Sequence, residues 1–121
     1  MTEDYSPFLP LSVATLHILL SLAGEDRHGY GIMREVARQS EGRYKLGPGT
    51  LYDNIQRLTA QRLVQEVARR AADRSGHDDP RRRYYRLTPD GRGVLSAEIA
   101  RLETVVRDGK LRMQAFKPRR A

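Results

Sequence analysis

The feature that most constrains this chain is a stripe of apolar residues near its C-terminal end, spaced for one long helix. The stripe alternates at intervals of four and three residues, and its members are Leu95, Ile99, Leu102, Val106 and Met113. Gly109 stands at the one missing position. This is the spacing of a coiled-coil seam, which is buried only when a second helix packs against it. The stripe therefore predicts a dimerisation helix; the alternative is packing on the core of its own subunit.

The residues before the stripe indicate where that helix begins. Thr88 can cap the helix, and Pro89 suits the first turn because its missing N–H has no partner there in any case. Asp90 favours the positive end of the helix dipole. We predict a helix over residues 89–115, a basic tail over 116–121 and an N-terminal arm over 1–10.

Composition limits the class of protein. A chain of 121 residues has room for one modest domain and an appended element, and the absence of cysteine excludes disulfides and thiolate zinc sites. No apolar run approaches the roughly 20 residues that cross a bilayer. Glu3 and Asp4 stand where a signal peptide has a basic start, so we expect no signal peptide. We expect a cytoplasmic protein without a membrane partner. The 22 Lys and Arg against 15 Asp and Glu, a net charge of +7, favour a polyanionic partner.

Three helices are predicted in the first half of the chain. The first spans residues 11–23 and is apolar nearly all round, and the second carries a narrow apolar stripe after His28. The third begins at Pro48, with Leu51, Ile55 and Leu58 pointing inward. Its remaining faces are polar and are formed by Thr50, Asp53, Asn54, Gln56, Arg57 and Gln61.

A basic β-hairpin follows the third helix. Its strands are predicted near residues 63–68 and 82–87, with polar turn material between them. From residue 69 to 86 there are seven arginines and three aspartates, a local net charge of +4. The predicted fold is mainly α with a small β-hairpin: a winged helix-turn-helix domain over residues 11–88, followed by the long C-terminal helix.

This order of elements predicts binding to double-stranded DNA. A helix fits the major groove, where Asn, Gln, Arg and Thr read base edges or grip adjacent phosphates. From the third helix we predict contacts by Pro48, Gly49, Thr50, Tyr52, Asp53, Asn54, Gln56 and Arg57. From the hairpin we predict contacts by Arg74, Arg81, Arg82, Arg83 and Tyr84.

Three groups of residues also carry a family resemblance. They are His28-Gly29-Tyr30, then Pro48-Gly49-Thr50-Leu51-Tyr52 with Arg57-Leu58, then Tyr84-Tyr85-Arg86-Leu87-Thr88-Pro89-Asp90-Gly91. In this order they make residues 11–107 resemble the PadR family, in its short branch with a single C-terminal helix. The resemblance implies a homodimeric repressor on a pseudo-palindromic operator, with the third helix as recognition helix and the hairpin as wing. A small-molecule effector of unknown identity is a candidate partner, since some members bind flat aromatic ligands.

The chain departs from many members of that family at two positions. Asp53 stands where they have proline, and Arg62 stands where they have glycine, between the recognition helix and the wing. An acidic residue on a DNA-facing helix repels phosphate unless it accepts from cytosine or orients an arginine. The preferred DNA sequence therefore stays open.

Other functions fit this sequence less well than DNA binding does. We expect no enzyme, cofactor or metal, because the histidines lack metal-ligand spacing and Gly47-Pro48-Gly49 lacks the Lys and Ser/Thr of a phosphate loop. The main alternative is a basic RNA-binding or ribosome-associated module, which needs exposed aromatic residues for stacking. A third hypothesis is a winged helix that binds another protein, but such binding does not require a basic wing.

Three residues near the second helix have structural interpretations beside functional ones. Tyr30 is expected to pack against neighbouring apolar residues, and His28 to cap the helix or lie exposed. Tyr52 is balanced between core packing and a phosphate contact through its hydroxyl.

Overall fold

Four helices and three short strands make up the fold of residues 4–68 and 82–118, which are the residues that our computed structural model describes. The helices are α1 (Val13–Ser21), α2 (Gly29–Gln39), α3 (Pro48–Ala60) and α4 (Pro89–Ala115). The strands are β1 (Arg27–His28), β2 (Val64–Val67) and β3 (Tyr84–Leu87), and a 3₁₀ turn spans Ser6–Phe8. The predicted winged helix with a long last helix is confirmed, although α1 is shorter than the predicted 11–23.

Local side-chain chemistry sets the starts of three helices. Ser12, His28 and Thr88 precede α1, α2 and α4, and each side chain accepts a hydrogen bond from the backbone N–H three residues later. A capped start satisfies an N–H that the helix itself leaves without a partner. The helix α3 has no side-chain cap, but Pro48 lies in its first turn and lacks the N–H altogether.

The sheet contains one strand more than the predicted hairpin. Its order is β1-β3-β2, and both neighbours of β3 run antiparallel to it. In this arrangement His28 pairs with Tyr84, and Val64 pairs with Leu87. The two-residue strand β1 is too short to show any alternation in sequence, so only the tertiary contact reveals it.

One hydrophobic core lies between the helices and the inner face of the sheet. It includes Ile18, Leu19, Leu22, Ile32, Val36, Leu51, Leu58, Leu63, Leu87 and Val94. The inward set predicted for α3, namely Leu51, Ile55 and Leu58, is buried as expected. This core fixes α3 with its opposite face towards solvent.

The turn from α3 to β2 requires a left-handed residue. Arg62 has φ of +62°, and the N–H of Leu63 donates to the carbonyl of Leu58 at 2.9 Å. The N–H of Arg62 itself donates to Thr59 at 3.0 Å. These two bonds form a Schellman motif, whose left-handed position is normally glycine. An arginine there carries backbone strain that glycine lacks.

The helix α4 is divided into a buried beginning and an exposed remainder. Val94, Leu95 and Glu98 are buried, whereas the helix from residue 103 onward is exposed throughout. The prediction that Leu95 belongs to the dimerisation stripe is therefore wrong, because Leu95 is only 5% exposed and packs in the core of its own chain. Within the described part of the chain, no helix is long and apolar enough to span a membrane.

The N-terminal segment packs along the beginning of α4. The Tyr5 hydroxyl donates to Asp90 at 3.0 Å, and the backbone N–H of Leu11 donates to the Glu98 carboxylate at 2.8 Å. Glu98 is 1% exposed and also accepts from Arg101 at 3.1 Å. The hydrogen bond from the Arg101 guanidinium holds the pKa of the Glu98 carboxyl below its usual value, against the effect of burial.

Candidate nucleic-acid interface

The exposed face of α3 presents a row of polar side chains. All but one of the residues predicted to contact DNA from this helix are exposed: Pro48, Gly49, Thr50, Tyr52, Asp53, Gln56 and Arg57. Hydroxyl, amide and guanidinium groups on one helix face can donate to base edges and phosphates in a major groove. This face is the core of the candidate interface.

Asn54 lies on the inner side of that helix, so its predicted outward position is wrong. It is only 6% exposed, and its Oδ1 accepts from the Thr15 hydroxyl of α1 at 2.8 Å. Its Nδ2 donates to the carbonyl of Thr50 at 2.8 Å. Asn54 stands three residues after Leu51 and four before Leu58, so the sequence spacing itself carried the signal for an inward position.

Arg57 combines exposure with a fixed guanidinium. Its Nη2 donates to Asn54 Oδ1 at 2.6 Å and lies 3.3 Å from the Thr15 hydroxyl oxygen, to which it also donates. The side chain is nevertheless exposed at the surface. Anchoring one edge of a guanidinium limits the rotamers of the side chain and leaves the remaining N–H donors in a defined direction.

The wing residues are divided between exposed arginines and a buried tyrosine. Arg82 and Arg83 are exposed beside β3, where a contact with DNA requires them to be, and Arg74 and Arg81 lie outside the described residues. Tyr84 is only 6% exposed, so its predicted contact with DNA from the wing is wrong. Its ring packs edge-on against His28, with centroids 5.2 Å apart.

Arg86 is held in an ion pair. Its Nε and Nη2 donate to the two carboxylate oxygens of Asp26 at 2.9 and 2.8 Å. This hydrogen bonding raises the pKa of the Arg86 guanidinium above its ordinary value. The pair links β3 to the turn before β1, so Arg86 contributes less net positive field than its sequence position suggests.

A cluster of basic and aromatic side chains extends the interface from β3 to the start of α2. Tyr30 is 55% exposed, so the expectation that it packs against neighbouring apolar residues is wrong. Its ring stacks on His28 at 6.4 Å, and the guanidinium carbons of Arg34 and Arg82 lie 5.8 and 5.9 Å from its centroid. Sequence analysis missed this cluster because Arg82 is 54 positions from His28.

An open cavity of about 440 Å³ separates this cluster from α3. Tyr52 is half-exposed and lines the cavity together with Gly29 and Tyr85. A Cβ atom at Gly29 would lie 2.3 Å from the Tyr52 hydroxyl, so glycine allows the tyrosine to approach the start of α2. Burial is the main reason that the pKa of the Tyr85 hydroxyl is raised, with Tyr52 the next contribution.

The second candidate surface is the exposed part of α4. Of the predicted stripe, Ile99, Val106 and Met113 are exposed and Leu102 is partly exposed. Further exposed apolar residues that the heptad pattern does not include are Val105, Leu111 and Phe116. A helix of this length with so many exposed apolar side chains is typical of an interaction surface.

The fold and these surfaces can be compared with known proteins. The sequence pattern that defines the transcriptional regulator PadR-like family matches residues 18–97, which is well over half of the chain. The chain belongs to the PadR-like family. The family consists of transcriptional regulators and not of enzymes, which agrees with the expected absence of catalytic function.

Similar proteins extend this assignment. The chain is 36% identical over 93 residues to the transcriptional regulator Rv3488 of Mycobacterium tuberculosis, covering 77% of this chain and 78% of that protein. A PadR family regulator from Clostridium difficile R20291 has a similar structure, with a TM-score of 0.65, 23% identity, and coverage of 84% and 99%. Bacillus subtilis PadR, solved in complex with operator DNA, is similar with a TM-score of 0.60, 19% identity, and coverage of 74% and 48%.

Arg62 and Asp53, the two residues at which this PadR-like chain departs from many family members, lie just after α3 and on its exposed face, respectively. Arg62 occupies the left-handed position of the turn after α3, which explains why glycine suits that position in a PadR-like fold. Asp53 is exposed on the same helix face as Gln56. Its carboxylate thus adds a hydrogen-bond acceptor to a face that otherwise presents mostly donors.

Proposed function

We propose that this protein is a repressor that binds a pseudo-palindromic operator in double-stranded DNA as a homodimer. In this proposal α3 is the recognition helix and enters the major groove, and the wing formed by β2 and β3 lies against the backbone. The helix α4 pairs with its counterpart in a second copy. Membership of a family of transcriptional regulators and the likeness to a PadR solved with operator DNA support the proposal.

The observation that carries the DNA-binding part is the exposed polar face of α3 beside two exposed wing arginines. Thr50, Gln56 and Arg57 offer both donors and acceptors, as direct readout of bases requires. Arg82 and Arg83 add positive charge next to that face, where contacts with phosphate are independent of sequence. Asn54 supports the helix from inside and is not assigned to base contacts.

The dimer part depends on the exposed section of α4. Ile99, Leu102 and Val106 share a groove on one side of the helix, and charged residues of both signs flank it. Apolar seam positions with flanking Glu and Lys or Arg are the pattern by which two helices pair. Burying each large apolar side chain contributes roughly 1.5–3 kcal/mol, so two such helices can hold a dimer together.

Selection of binding sites from random duplex DNA tests the first part. We expect an enriched sequence with two half-sites about one helical turn apart. Affinity for that duplex should fall on the order of tenfold to a thousandfold between about 50 and 200 mM salt. Equal affinity for single-stranded RNA in direct competition would support the RNA-binding alternative instead. Reporter transcription from a promoter that overlaps the selected site distinguishes repression from activation.

Two neighbouring valines allow a matched test of the dimer. Val106 lies in the groove and Val105 does not, although both are 53% exposed. Val106→Asp should give a folded monomer in sedimentation experiments and reduce operator affinity at least about a hundredfold, the low end of multivalent gains. Val105→Asp should leave the dimer intact. Tight operator binding by a proven Val106→Asp monomer contradicts this model of the assembly.

A further inference from the structure

Asp53 lies at the centre of the exposed face of α3. It stands two residues after Leu51 and two before Ile55, which are both buried. Two residues turn an α-helix by about 200°, so Asp53 lies on the side of α3 opposite the core. It is also the sixth residue of α3, and residues near the N-terminus of a recognition helix are those that contact base edges. When α3 enters a major groove, the Asp53 carboxylate therefore faces the bases.

The arginine that could neutralise Asp53 is held elsewhere. Arg57 stands four residues later, the spacing at which acidic and basic side chains pair on a helix. Its Nη2 instead donates to Asn54 Oδ1 at 2.6 Å and to the Thr15 hydroxyl oxygen at 3.3 Å. Among the residues that the structure describes, none forms an ion pair or a side-chain hydrogen bond with the Asp53 carboxylate. Asp53 therefore does not orient Arg57, and contact with a base donor is the role that remains for it.

Cytosine is the base whose major-groove edge suits a carboxylate. An ionised carboxylate has acceptors only, so it requires an N–H donor. The major-groove donors are the N4 amino group of cytosine and the N6 amino group of adenine, whereas guanine and thymine present acceptors. Adenine also presents its N7 acceptor beside the amino group, an arrangement that amide side chains match and a carboxylate does not. Contact of Asp53 with a base therefore favours cytosine.

We propose that Asp53 is a specificity-determining residue, whose carboxylate accepts a hydrogen bond from the N4 amino group of one cytosine in each operator half-site. This inference rests on the proposed function. The same carboxylate repels phosphate, and it meets only acceptors where guanine or thymine takes the place of that cytosine. Asp53 therefore lowers affinity for other sequences as well as binding its own base, and both effects increase the preference for the operator.

Substitution of Asp53 should change which base is preferred. Exchange of the C·G pair for T·A should weaken wild-type binding about 5- to 150-fold per half-site. Asp53→Ala should lose this preference and bind unrelated duplexes more tightly than the wild type does. In Asp53→Asn the preferred base should become adenine, because an amide pairs with both N6 and N7. Asp108→Asn removes the same charge from an exposed position of α4 and should keep the wild-type preference.

N4-methylcytosine in the operator tests the hydrogen bond itself. Its methyl group replaces the amino hydrogen in the major groove and leaves the hydrogen that pairs with guanine. At one cytosine per half-site it should weaken binding of the wild type at least about fivefold but leave the affinity of Asp53→Ala unchanged. Selected sites without a fixed cytosine, or the same preference for cytosine in the wild type and Asp53→Ala, overturn the inference while DNA binding itself stands. If the wild type binds no duplex DNA, the proposed function fails and this inference fails with it.

Discussion

Asn54 of α3 and Thr15 of α1 are joined by a buried hydrogen bond in which the Thr15 hydroxyl donates to Asn54 Oδ1 at 2.8 Å. The same oxygen accepts from Arg57 at 2.6 Å. A side chain in the protein interior thus connects the first helix with an exposed arginine of the proposed recognition helix. The position of Arg57 at the interface depends on this connection.

Asn54→Ala should therefore reduce stability as well as DNA affinity. It removes the acceptor of a buried hydroxyl, which costs about 1–3 kcal/mol in the free energy of unfolding. Gln56→Ala, at an exposed position on the same helix, should change stability by less than about 0.5 kcal/mol. Urea unfolding of the two variants measures the difference. Equal stabilities would show that the Asn54 bonds contribute nothing to the fold.

Replacement of Arg62 by glycine should stabilise the protein. Arg62 has φ of +62°, a conformation that costs an L-residue roughly 1–2 kcal/mol and costs glycine almost nothing in the folded state. Glycine loses more backbone entropy on folding than arginine does, which offsets part of this difference. We therefore expect the free energy of unfolding to rise by about 0.5–1 kcal/mol. Gln61→Gly, at the preceding residue with φ of −81°, is the matched control and should destabilise. Thermal unfolding should show a higher melting temperature for Arg62→Gly and a lower one for Gln61→Gly.

Two glycines should respond differently to alanine. A Cβ at Gly91 would lie 2.0 Å from the backbone oxygen of Leu63, so Gly91→Ala should cost about 3 kcal/mol because the start of α4 must move. A Cβ at Gly29 meets only the side chain of Tyr52, at 2.3 Å from its hydroxyl and 3.0 Å from the adjoining ring carbon, and an exposed side chain can move more easily than backbone. Gly29→Ala should therefore cost less than about 1 kcal/mol. Chemical denaturation that ranks the two variants in the reverse order contradicts this account of the packing.

Glu98 should make stability depend on pH in the acid range. Its pKa is lowered from the ordinary 4.5, chiefly by the Arg101 hydrogen bond, so its contribution is present above that value. The contribution is lost as the pH falls through the lower folded pKa. Glu98→Gln should lower the free energy of unfolding by about 1.5–3 kcal/mol at pH 7. This difference in stability from the wild type should shrink towards pH 3. Glu103→Gln, at an exposed position of α4, is the control for urea unfolding at both pH values.

The sequence by itself determined the features that depend on neighbours along the chain. Thr88 and Pro89 set the start of α4, and Pro48 sets the start of α3, because capping and the missing N–H act within one turn. The apolar spacing of Leu51, Ile55 and Leu58 identified the buried face of α3 for the same reason. These local patterns were sufficient to predict the winged helix.

Only the tertiary structure decided which faces are covered. Leu95 packs in its own core because the beginning of α4 contacts α1 and β3, although its heptad spacing matches the exposed residues that follow it. Tyr84 is covered by the ring of His28, which the pairing of β1 with β3 places beside it. The contact of His28 with Arg82 joins residues 54 positions apart. The periodicity of the sequence shows which residues share a face, whereas packing between distant elements determines what that face contacts.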